Sequence, residues 1–392
     1  MSYRKKITFL TIGDISQIAT MKRALGMANP LHKLGWDVSI IAMECEENRT
    51  RIALECDPAI HIEYYKACSF MEEPAVKTAL VNKINPDFVY FCSFSIRNRL
   101  LKSKLMKKPK LLIEHAELQS AIKSVPLKRR IWFYLLEIYS ILYADGLLCA
   151  SKYLDKHFKQ LAKKMFKRIP VLYSPYAFNN DIISSYKLIE DQLIERYQGR
   201  KLLLYMGTMT QNYGLFAMLE AMKALSATNP ELLLLLMGRG RHLEEAKQYV
   251  AAHRLENYVV FLGYIPEIEL SSYFSVAKYF ISPLNNTVQD KARCPSKIYM
   301  YLPFDKPILT SAIGEPQEIF KENGYYFETE KPQTLVDLIQ HLENTPLTRE
   351  VYPVKEQHSW EKRALDFNYW VTKCFSAKDM KNTFRYEEIH YE

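Results

Sequence analysis

Short, continuously apolar runs separated by longer amphipathic stretches are the feature that most restricts the fold of this chain. Leu232–Met237 reads LLLLLM and Tyr279–Ser282 reads YFIS, without the polar alternation of a strand that faces water on one side. Strands that are apolar on both faces are typical of a parallel sheet covered by helices on each side. The pattern therefore predicts an α/β fold of the doubly wound kind.

The apolar runs form two series, and a chain of 392 residues is long enough for two domains. We expect Rossmann-like domains over 1–190 and 196–350 that face a central cleft, with Asp191–Arg200 as a linker and 351–392 as a terminal helix and tail. Helices are predicted over Thr20–Leu34, Lys128–Tyr143, Phe216–Ser226, Leu243–His253, Ser271–Val276 and Glu356–Cys374. The predicted strands are Ile7–Ile12, Val38–Ala42, Ile60–Tyr64, Phe88–Cys92, Leu111–Glu114, Gly146–Cys149 and Val171–Tyr173, then Leu202–Met206, Leu232–Met237, Val259–Leu262, Tyr279–Ser282 and Pro307–Thr310.

Positive charge is concentrated in the first half of the chain. Residues 1–185 contain 29 Lys and Arg against 17 Asp and Glu, whereas the remainder contains 24 against 27. This asymmetry predicts an anionic partner for the first half, and the absence of a reader motif argues against nucleic acid. The basic and aromatic stretch from Lys123 to Tyr134 is typical of a helix that lies on an anionic bilayer, or else of a solvated helix face.

Several classes of protein are disfavoured by what the sequence lacks. No run approaches the roughly 18 to 20 apolar residues of a membrane-spanning helix, and the N-terminus leads into a strand rather than a signal sequence. We therefore expect a cytoplasmic protein, placed at the inner face of the membrane where its basic stretch contacts lipid. The seven cysteines form no C-x-x-C pair, so free thiols are expected. Without an Asp-x-Asp pair or a His/Cys cluster, no metal site and no cofactor are predicted.

The segment Lys278–Phe320 carries the pattern with the clearest chemical meaning. It predicts a buried strand, a polar loop, a helix that opens at Pro295-Ser296-Lys297, and a second strand. Such a unit presents backbone amides and a cation to an anionic ligand. We expect Lys297 to bind a diphosphate and to stabilise the charge that develops on it as a leaving group, with Ser296 as a further donor. The alternative is a helix-capping serine beside a solvated lysine.

Glycine turns follow the predicted strands of the second half. Gly207-Thr208 closes its first strand, Gly238-Arg239 follows the second, and Tyr264 lies in the turn after the third. Glycine lets the backbone approach a ligand and frees amides for a phosphate. Arg239 is a candidate for a phosphate or base contact, and Tyr264 for stacking on the base. The structural alternatives are ordinary turns, a solvated arginine and a packing aromatic residue.

Taken in order, the glycine turns, the Pro-Ser-Lys-Ile-Tyr segment and the loop Gly314–Glu318 resemble the family 4 glycosyltransferases, or glycosyl transferases group 1. The resemblance covers most of the chain and is strongest over Leu202–Phe320. It implies a GT-B fold, in which the last helix crosses back onto the N-terminal domain. It also implies a metal-independent, retaining transfer from a nucleoside-diphosphate sugar, with Glu315 and Glu318 facing the donor sugar.

The same resemblance assigns residues of the N-terminal half to the acceptor side of the cleft. His115, at the end of a predicted strand, would lie near the reacting hydroxyl, and it is otherwise a structural histidine. Gly13 and Asp14 after the first strand, and Arg23 on the next helix, would face the acceptor.

Two carboxylates that are common in the family are absent. Alignment on Pro-Ser-Lys places Ala292 where a glutamate faces the donor sugar and Met300 where a glutamate holds the ribose. Asp305 or Glu318 is a candidate to restore the ribose contact, and Asp290 the sugar contact. A ribose carboxylate contributes more to binding than to chemistry, so its loss is compatible with turnover.

We therefore predict an enzyme, a hexosyltransferase-type glycosyltransferase that moves a sugar to a lipid-linked or polysaccharide acceptor in cell-surface glycan assembly. The missing carboxylates favour an alternative, a catalytically silent relative that binds a partner glycosyltransferase in a glycan-assembly complex. A third hypothesis, a nucleotide-sugar epimerase on the same fold, requires further carboxylates and histidines that the sequence does not place.

Overall fold

The computed structural model describes residues 4–15, 20–178, 189–345 and 355–375. The polar tail after Ala377, which the sequence predicts to be frayed, lies outside the described residues. Within them the chain forms two separate sheets in which every strand pair is parallel. Among the described residues no helix is long and apolar enough to cross a membrane.

The N-terminal sheet has seven strands in the order β3-β2-β1-β4-β5-β6-β7. The strands are β1 Lys6–Leu10, β2 Asp37–Met43, β3 His61–Tyr65, β4 Phe88–Phe91, β5 Lys110–His115, β6 Gly146–Cys149 and β7 Val171–Tyr173. The helices that accompany them are α1 Thr20–Lys33, α2 Glu46–Glu55, α3 Glu73–Ile84, α4 Leu127–Tyr143 and α5 Lys152–Lys164.

The C-terminal sheet has six strands in the order β10-β9-β8-β11-β12-β13. The strands are β8 Lys201–Met206, β9 Leu232–Met237, β10 Val259–Gly263, β11 Tyr279–Ser282, β12 Ile308–Thr310 and β13 Tyr325–Tyr326. The helices are α6 Glu190–Arg196, α7 Leu215–Thr228, α8 Leu243–Ala252, α9 Glu267–Val276, α10 Val288–Ala292, α11 Ser296–Tyr301, α12 Glu315–Phe320, α13 Pro332–Asn344 and α14 Trp360–Phe375.

Both faces of each sheet are buried, which explains the continuously apolar runs. In β1, Ile7 and Phe9 join the apolar cluster that contains α1 and α14, whereas Leu10 joins the cluster on the opposite face. In β9, Leu234 and Leu235 divide in the same way. The strand order reverses next to β1 and next to β8, and such reversal points open a crevice at the carboxyl ends of the strands.

The predicted α/β architecture with two doubly wound domains is confirmed, and every predicted strand is present. Two local features were not predicted. Strand β13 has only two residues, which is too short to produce a sequence pattern. The predicted linker Asp191–Arg200 contains most of α6. This helix was not predicted because most of its residues are polar and Leu193 is its buried side chain.

The terminal helix α14 crosses back onto the N-terminal domain, as the resemblance implies. Phe178 N donates to His358 O at 3.0 Å, and Trp360 N donates to Phe178 O at 3.1 Å, so the crossing is fixed by the backbone. Trp360 then packs on α1, where a Cβ atom at Gly26 would lie only 2.2 Å from the indole ring. Phe367 contacts Trp36, and Trp36 Nε1 donates to Asn368 Oδ1 at 3.0 Å.

We expect Gly26→Ala to destabilise the N-terminal domain by about 1–3 kcal/mol, because the added methyl overlaps the Trp360 ring in a packed interface. Urea unfolding followed by circular dichroism measures the change. Trp360→Leu makes room for the added methyl. In a protein that carries Trp360→Leu, Gly26→Ala should therefore lower the free energy of unfolding by clearly less. An equal cost in both backgrounds would contradict the packing described here.

Candidate active site

Three glycine turns meet at the carboxyl ends of adjacent strands β8, β9 and β10. Gly207 N donates to Met237 O at 2.9 Å, and Gly238 N donates to Gly263 O at 2.6 Å. A Cβ atom at Gly238, which has a φ of 130°, would lie 2.0 Å from Gly207 O. Only glycine permits this stacking of backbone.

Lys297 on α11 lies directly against the first of these turns. A Cβ atom at Gly207 would be 2.8 Å from Lys297 Nζ, and the ammonium lies 4.1 Å from the centre of the Tyr205 ring. Among the described residues no carboxylate lies within ion-pair distance of Lys297. Burial lowers the pKa of Lys297 well below its ordinary value, and the charge of Arg293 lowers it further while Asp290 opposes the shift. An anion at this position would therefore be strongly favoured.

Arg293 is a second cation at this site, and the sequence analysis missed it. Its Nε lies 3.0 Å from Asp290 Oδ1, and its guanidinium lies 4.3 Å from the centre of the Tyr213 ring. Asp290 also accepts a hydrogen bond from Asn285 N at 2.7 Å, so this buried carboxylate is held by protein groups. With one carboxylate for two cations, the local charge is positive when both are protonated. The signal was the spacing of Arg293, four residues before Lys297.

The predicted base contacts lie together at the rim of the glycine turns. Arg239 and Tyr264 are both exposed, and the guanidinium lies 5.6 Å from the centre of the tyrosine ring. Thr208 is exposed in the first turn, and its carbonyl accepts a hydrogen bond from Tyr205 Oη at 3.0 Å. The pair offers an exposed planar surface beside the glycine turns.

The two positions that lack the family's carboxylates differ in their surroundings. Met300 lines a cavity of about 100 Å³ between the domains, together with Ser296, Phe274 and Phe304. Ala292 is fully buried, and its carbonyl accepts a hydrogen bond from Ser151 Oγ at 2.6 Å. The cleft therefore has an apolar wall at Met300 and an interdomain backbone contact at Ala292.

Glu315 does not occupy the open position predicted for it. Its buried carboxylate accepts hydrogen bonds from Tyr173 Oη, from Tyr299 Oη at 3.3 Å and from Lys152 N at 3.2 Å. Tyr173 and Lys152 belong to the N-terminal domain, so Glu315 joins the two domains instead of facing an open donor site. Burial raises the pKa of Glu315 to about 7. Glu318 lies in the same helix, α12, and is exposed.

His115 lines a second cavity, of about 430 Å³, on the N-terminal side of the cleft. Its ring stacks on Phe158 at 3.9 Å between centres, and Nε2 lies 2.9 Å from Ser140 Oγ. Because Ser140 Oγ donates to Glu137 O at 2.7 Å, Nε2 carries the proton and Nδ1 is an acceptor. Burial lowers the pKa of His115 to about 3, so the imidazole is neutral near pH 7.

The prediction that Arg23 faces the acceptor is wrong. Its side chain is completely buried, and it lies 2.9 Å from Glu114 Oε1. It also donates to Ser174 O at 2.7 Å and to Pro175 O at 2.9 Å. A conformation with these bonds leaves no donor for a ligand. A sequence cannot distinguish an arginine that reaches a cleft from one that is covered by a terminal helix.

Gly13 and Asp14 follow β1, as predicted. Gly13 has a φ of 69°, and its carbonyl accepts a hydrogen bond from Asn48 Nδ2 at 3.1 Å. A carboxylate oxygen of Asp14, the sulfur of Cys45 and a carboxylate oxygen of Glu47 lie within 4.8 Å of one another. The turn is therefore held by α2, on the same edge of the sheet as His115.

The comparisons with known proteins agree with this architecture. Residues 188–365 match the model of the family described as Glycosyl transferases group 1, whereas no curated protein matches the chain. The structure is similar to that of HepE from Anabaena in complex with UDP-glucose, with a TM-score of 0.71, 13% identity and coverage of 94% of this chain and 99% of that chain. Sucrose-phosphate synthase from Thermosynechococcus elongatus gives a TM-score of 0.71 at 17% identity, with 95% and 99% coverage.

A glycosyltransferase from Rickettsia africae is similar to the same extent, with a TM-score of 0.70, 14% identity, and coverage of 96% of this chain and 100% of that chain. The chain therefore has the GT-B fold, and these structures together with the match over residues 188–365 support a glycosyltransferase enzyme. Its residues 188–365 are a glycosyl transferases group 1 domain, which confirms the family 4 resemblance of the motifs.

The interdomain carboxyl of Glu315 should make stability depend on pH. Its pKa rises from 4.5 to about 7 on folding, so the native state retains a proton that the unfolded state loses. The contribution of Glu315 to the free energy of unfolding is therefore greatest below pH 4.5. It declines as the pH rises to about 7, by on the order of 3 kcal/mol. Melting temperatures measured across this range should fall less steeply for Glu315→Gln than for the wild type. Exposed Glu318→Gln is the control, and identical slopes for all three proteins would contradict the assignment.

Proposed function

We propose that this protein transfers a hexose from a nucleoside-diphosphate sugar to a lipid-linked or polysaccharide acceptor, with retention of configuration and without a metal. The observation that carries the proposal is the ammonium of Lys297, which lies against the Gly207 turn without a carboxylate partner among the described residues. A diphosphate bound there would supply the missing negative charge. Ser296 and backbone amides of the glycine turns complete this donor site.

Departure of the nucleoside diphosphate is the step that these residues would assist. As the bond between the sugar carbon and the phosphate oxygen breaks, negative charge grows on the diphosphate. Arg293 and the protonated form of Lys297 are cations held by the fold, and such preorganised charges stabilise the developing negative charge. Arg239 and Tyr264 at the rim are the proposed contacts of the nucleotide base. HepE is described in complex with UDP-glucose, and we propose a UDP-sugar as the first donor to test.

The acceptor side of the proposal rests on α4, whose two faces differ. One face lines the N-terminal cavity through Phe133, Leu136 and Glu137. The other exposes large apolar side chains next to basic residues of the same segment, a composition that suits an anionic bilayer. The exposed apolar residues are Leu127, Ile131, Trp132, Tyr134, Leu135 and Leu142; the basic ones are Lys123, Lys128, Arg129 and Arg130.

A helix that contacts both lipid and cavity would bring a membrane-bound acceptor to the reacting sugar. We therefore place the enzyme at the cytoplasmic face of a membrane, in the assembly of a cell-surface glycan. The second candidate is a catalytically silent partner of another glycosyltransferase. The observation that favours it is the absence of a carboxylate at Ala292 and Met300, with Ala292 closed by the contact from Ser151.

Calorimetric titration with UDP, GDP, ADP and their sugars tests the donor site. We expect one nucleotide series to bind, and Lys297→Met to weaken binding by about 10- to 100-fold, because a charge-assisted hydrogen bond contributes about 1.5–3 kcal/mol. Exposed Lys223→Met should bind as the wild type does. Burial lowers the pKa of free Lys297, and a bound anion should raise that pKa again. Titrations in two buffers measure the proton uptake that accompanies binding.

The same linkage predicts that affinity falls as the pH rises, and that Lys297→Met loses this dependence. If no nucleotide binds the wild-type protein, the enzyme proposal is wrong and the silent partner is favoured. If a nucleotide binds equally well to Lys297→Met, the donor site lies elsewhere.

Co-sedimentation with vesicles tests the lipid contact of α4. We expect binding to phosphatidylglycerol vesicles and little binding to phosphatidylcholine vesicles. Lys128→Ser with Arg129→Ser should weaken binding to the anionic vesicles by roughly 30-fold, at about 1 kcal/mol for each basic residue. Lys223→Ser with Lys247→Ser removes two charges from the C-terminal domain as a control. Equal losses in both double variants would indicate a net-charge effect and contradict docking through α4.

A further inference from the structure

Exposed apolar side chains lie at the amino ends of three neighbouring strands. Met106 precedes β5, Leu142 precedes β6 and Phe166 precedes β7, and these side chains are 80%, 55% and 96% exposed. Because β5, β6 and β7 are adjacent and parallel, their amino ends lie side by side at one edge of the N-terminal sheet, about 5 Å from strand to strand. This edge is opposite the one that borders the cleft, so the donor and acceptor sites do not account for it.

Phe166 occupies a backbone position that favours glycine. Helix α5 ends in a Schellman motif, in which Phe166 N donates to Lys163 O at 3.0 Å and Lys167 N donates to Ala162 O at 2.9 Å. Phe166 has a φ of 52°, in the left-handed region that is unfavourable for a residue with a Cβ atom. Within the described parts of the chain nothing covers its ring. The fold therefore gains neither packing nor backbone stability from a phenylalanine at this position.

Met106 is also presented to solvent by a fixed backbone. Met106 N donates to Asn82 Oδ1 at 2.9 Å, and Asn82 Nδ2 donates to Lys104 O at 2.9 Å. Helix α3, which contains Asn82, thus holds the turn in place, and the neighbouring Leu105 packs against the core. Since its neighbour is packed and its backbone is fixed, the exposure of Met106 is a property of the folded domain.

Basic residues surround these apolar side chains. Residues 102–110, 142–145 and 163–168, which we call the basic edge, contain nine Lys and Arg and one Asp. Two of the lysines have carboxylate partners: Lys107 lies 2.5 Å from Asp87, and Lys110 lies 3.6 Å from Asp145. The remaining cations give this edge a strongly positive charge.

The three segments of the basic edge form one continuous surface. Lys102 Nζ donates to Tyr143 O at 2.6 Å, which joins the first segment to the end of α4. Burial lowers the pKa of Lys102, Asp145 opposes this shift, and the charge of Lys167 adds to it. Lys102 is thus within electrostatic reach of the third segment as well.

We propose that the basic edge is a membrane anchor, in which Phe166 and Met106 enter the apolar layer of an anionic bilayer and the surrounding lysines contact lipid phosphates. Apolar side chains among cations match both layers of such a surface. A nucleic acid would use the charges but would gain little from an exposed methionine and leucine. Charge and apolar exposure together therefore favour the bilayer.

The inference rests on the lipid contact of the proposed function and extends it along α4. The apolar face of α4 begins at Leu127 and reaches the basic edge at Leu142, over a length of about 25 Å. Contacts at both ends would lay the helix along the bilayer. The anchor would then fix the orientation of the cleft relative to the lipid surface.

Co-sedimentation with phosphatidylglycerol vesicles tests the anchor and requires neither a donor nor an acceptor. Phe166→Gly removes the ring and suits the left-handed backbone, and Met106→Ser removes the second apolar side chain. Tyr369→Ser is the matched control, because Tyr369 is 60% exposed on α14, which packs against the opposite face of the sheet. Melting temperature and nucleotide affinity are measured for each variant.

We expect Phe166→Gly to weaken vesicle binding by about 10-fold or more, the change expected when a large apolar side chain no longer leaves water. The same variant should have a higher melting temperature than the wild type, because glycine adopts the left-handed conformation without a steric penalty. Met106→Ser should add to the loss of binding, whereas Tyr369→Ser should bind as the wild type does. Nucleotide affinity should be unchanged throughout.

Two further variants separate insertion from charge. Phe166→Trp should retain vesicle binding, and brominated lipid should quench more tryptophan fluorescence than it does in the wild type. Lys164→Ser with Lys167→Ser should weaken binding in low salt and have less effect in high salt, because salt screens exposed charges. The loss in Phe166→Gly should persist in high salt.

Wild-type vesicle binding by the double variant Phe166→Gly, Met106→Ser would overturn the proposal, as would an equal loss in Tyr369→Ser. If only the lysine variant loses binding, the contact is electrostatic, a polyanion such as nucleic acid becomes the favoured partner, and insertion is wrong. Absence of vesicle binding by the wild-type protein would overturn the anchor whatever the nucleotide titration shows.

The contact proposed for α4 is judged separately. If Lys128→Ser with Arg129→Ser binds vesicles as the wild type does while Phe166→Gly does not, the α4 contact is wrong and the anchor is supported. The reverse result would overturn the anchor and leave the proposed function intact.

Discussion

The buried ion pair of Arg23 and Glu114 is the contact on which the geometry of the cleft depends. Their side chains are 0% and 1% exposed, and the guanidinium also lies 4.8 Å from the Tyr176 ring and 5.1 Å from the Trp360 ring. One residue thus joins α1, β5, the segment after β7 and the terminal helix. Loss of either charge leaves the other buried and unpaired, at a cost of about 3–5 kcal/mol. Tyr176 lines both cavities, so the ion pair positions a wall of each.

The two sides of the cleft carry opposite chemistry. The C-terminal wall has stacked glycine backbone with Lys297 and Arg293, which suits a leaving diphosphate. The N-terminal wall has neutral His115, whose Nδ1 accepts a hydrogen bond and therefore suits a hydroxyl group. Glu315 closes the space between the walls through contacts with Tyr173.

The sheets were predictable because strands buried on both faces must be continuously apolar, as Leu232–Met237 is. The glycine turns were also predictable. Gly238 is required there because any side chain would overlap the carbonyl oxygen of Gly207. The role of Lys297 as a donor ligand stays a prediction, although its position against Gly207 matches the expectation.

The charged side chains were not predictable to the same degree. Arg23 and Glu315 each follow a pattern typical of a ligand contact, yet both are buried against elements distant in the sequence. Arg293 was missed because its spacing, four residues before Lys297, does not by itself show where its side chain lies. Whether a charge meets solvent, a partner or a ligand depends on tertiary contacts that a local pattern does not contain.

The most direct test of the account is a crystal structure of the protein with the nucleoside diphosphate that binds it most tightly. The account predicts that phosphate oxygens lie about 3 Å from Lys297 Nζ and from backbone nitrogens of the Gly207 turn, at hydrogen-bond distance. Arg293 should lie on the same side of the diphosphate. A diphosphate bound away from Lys297 and Gly207, with both in the positions described here, would contradict it.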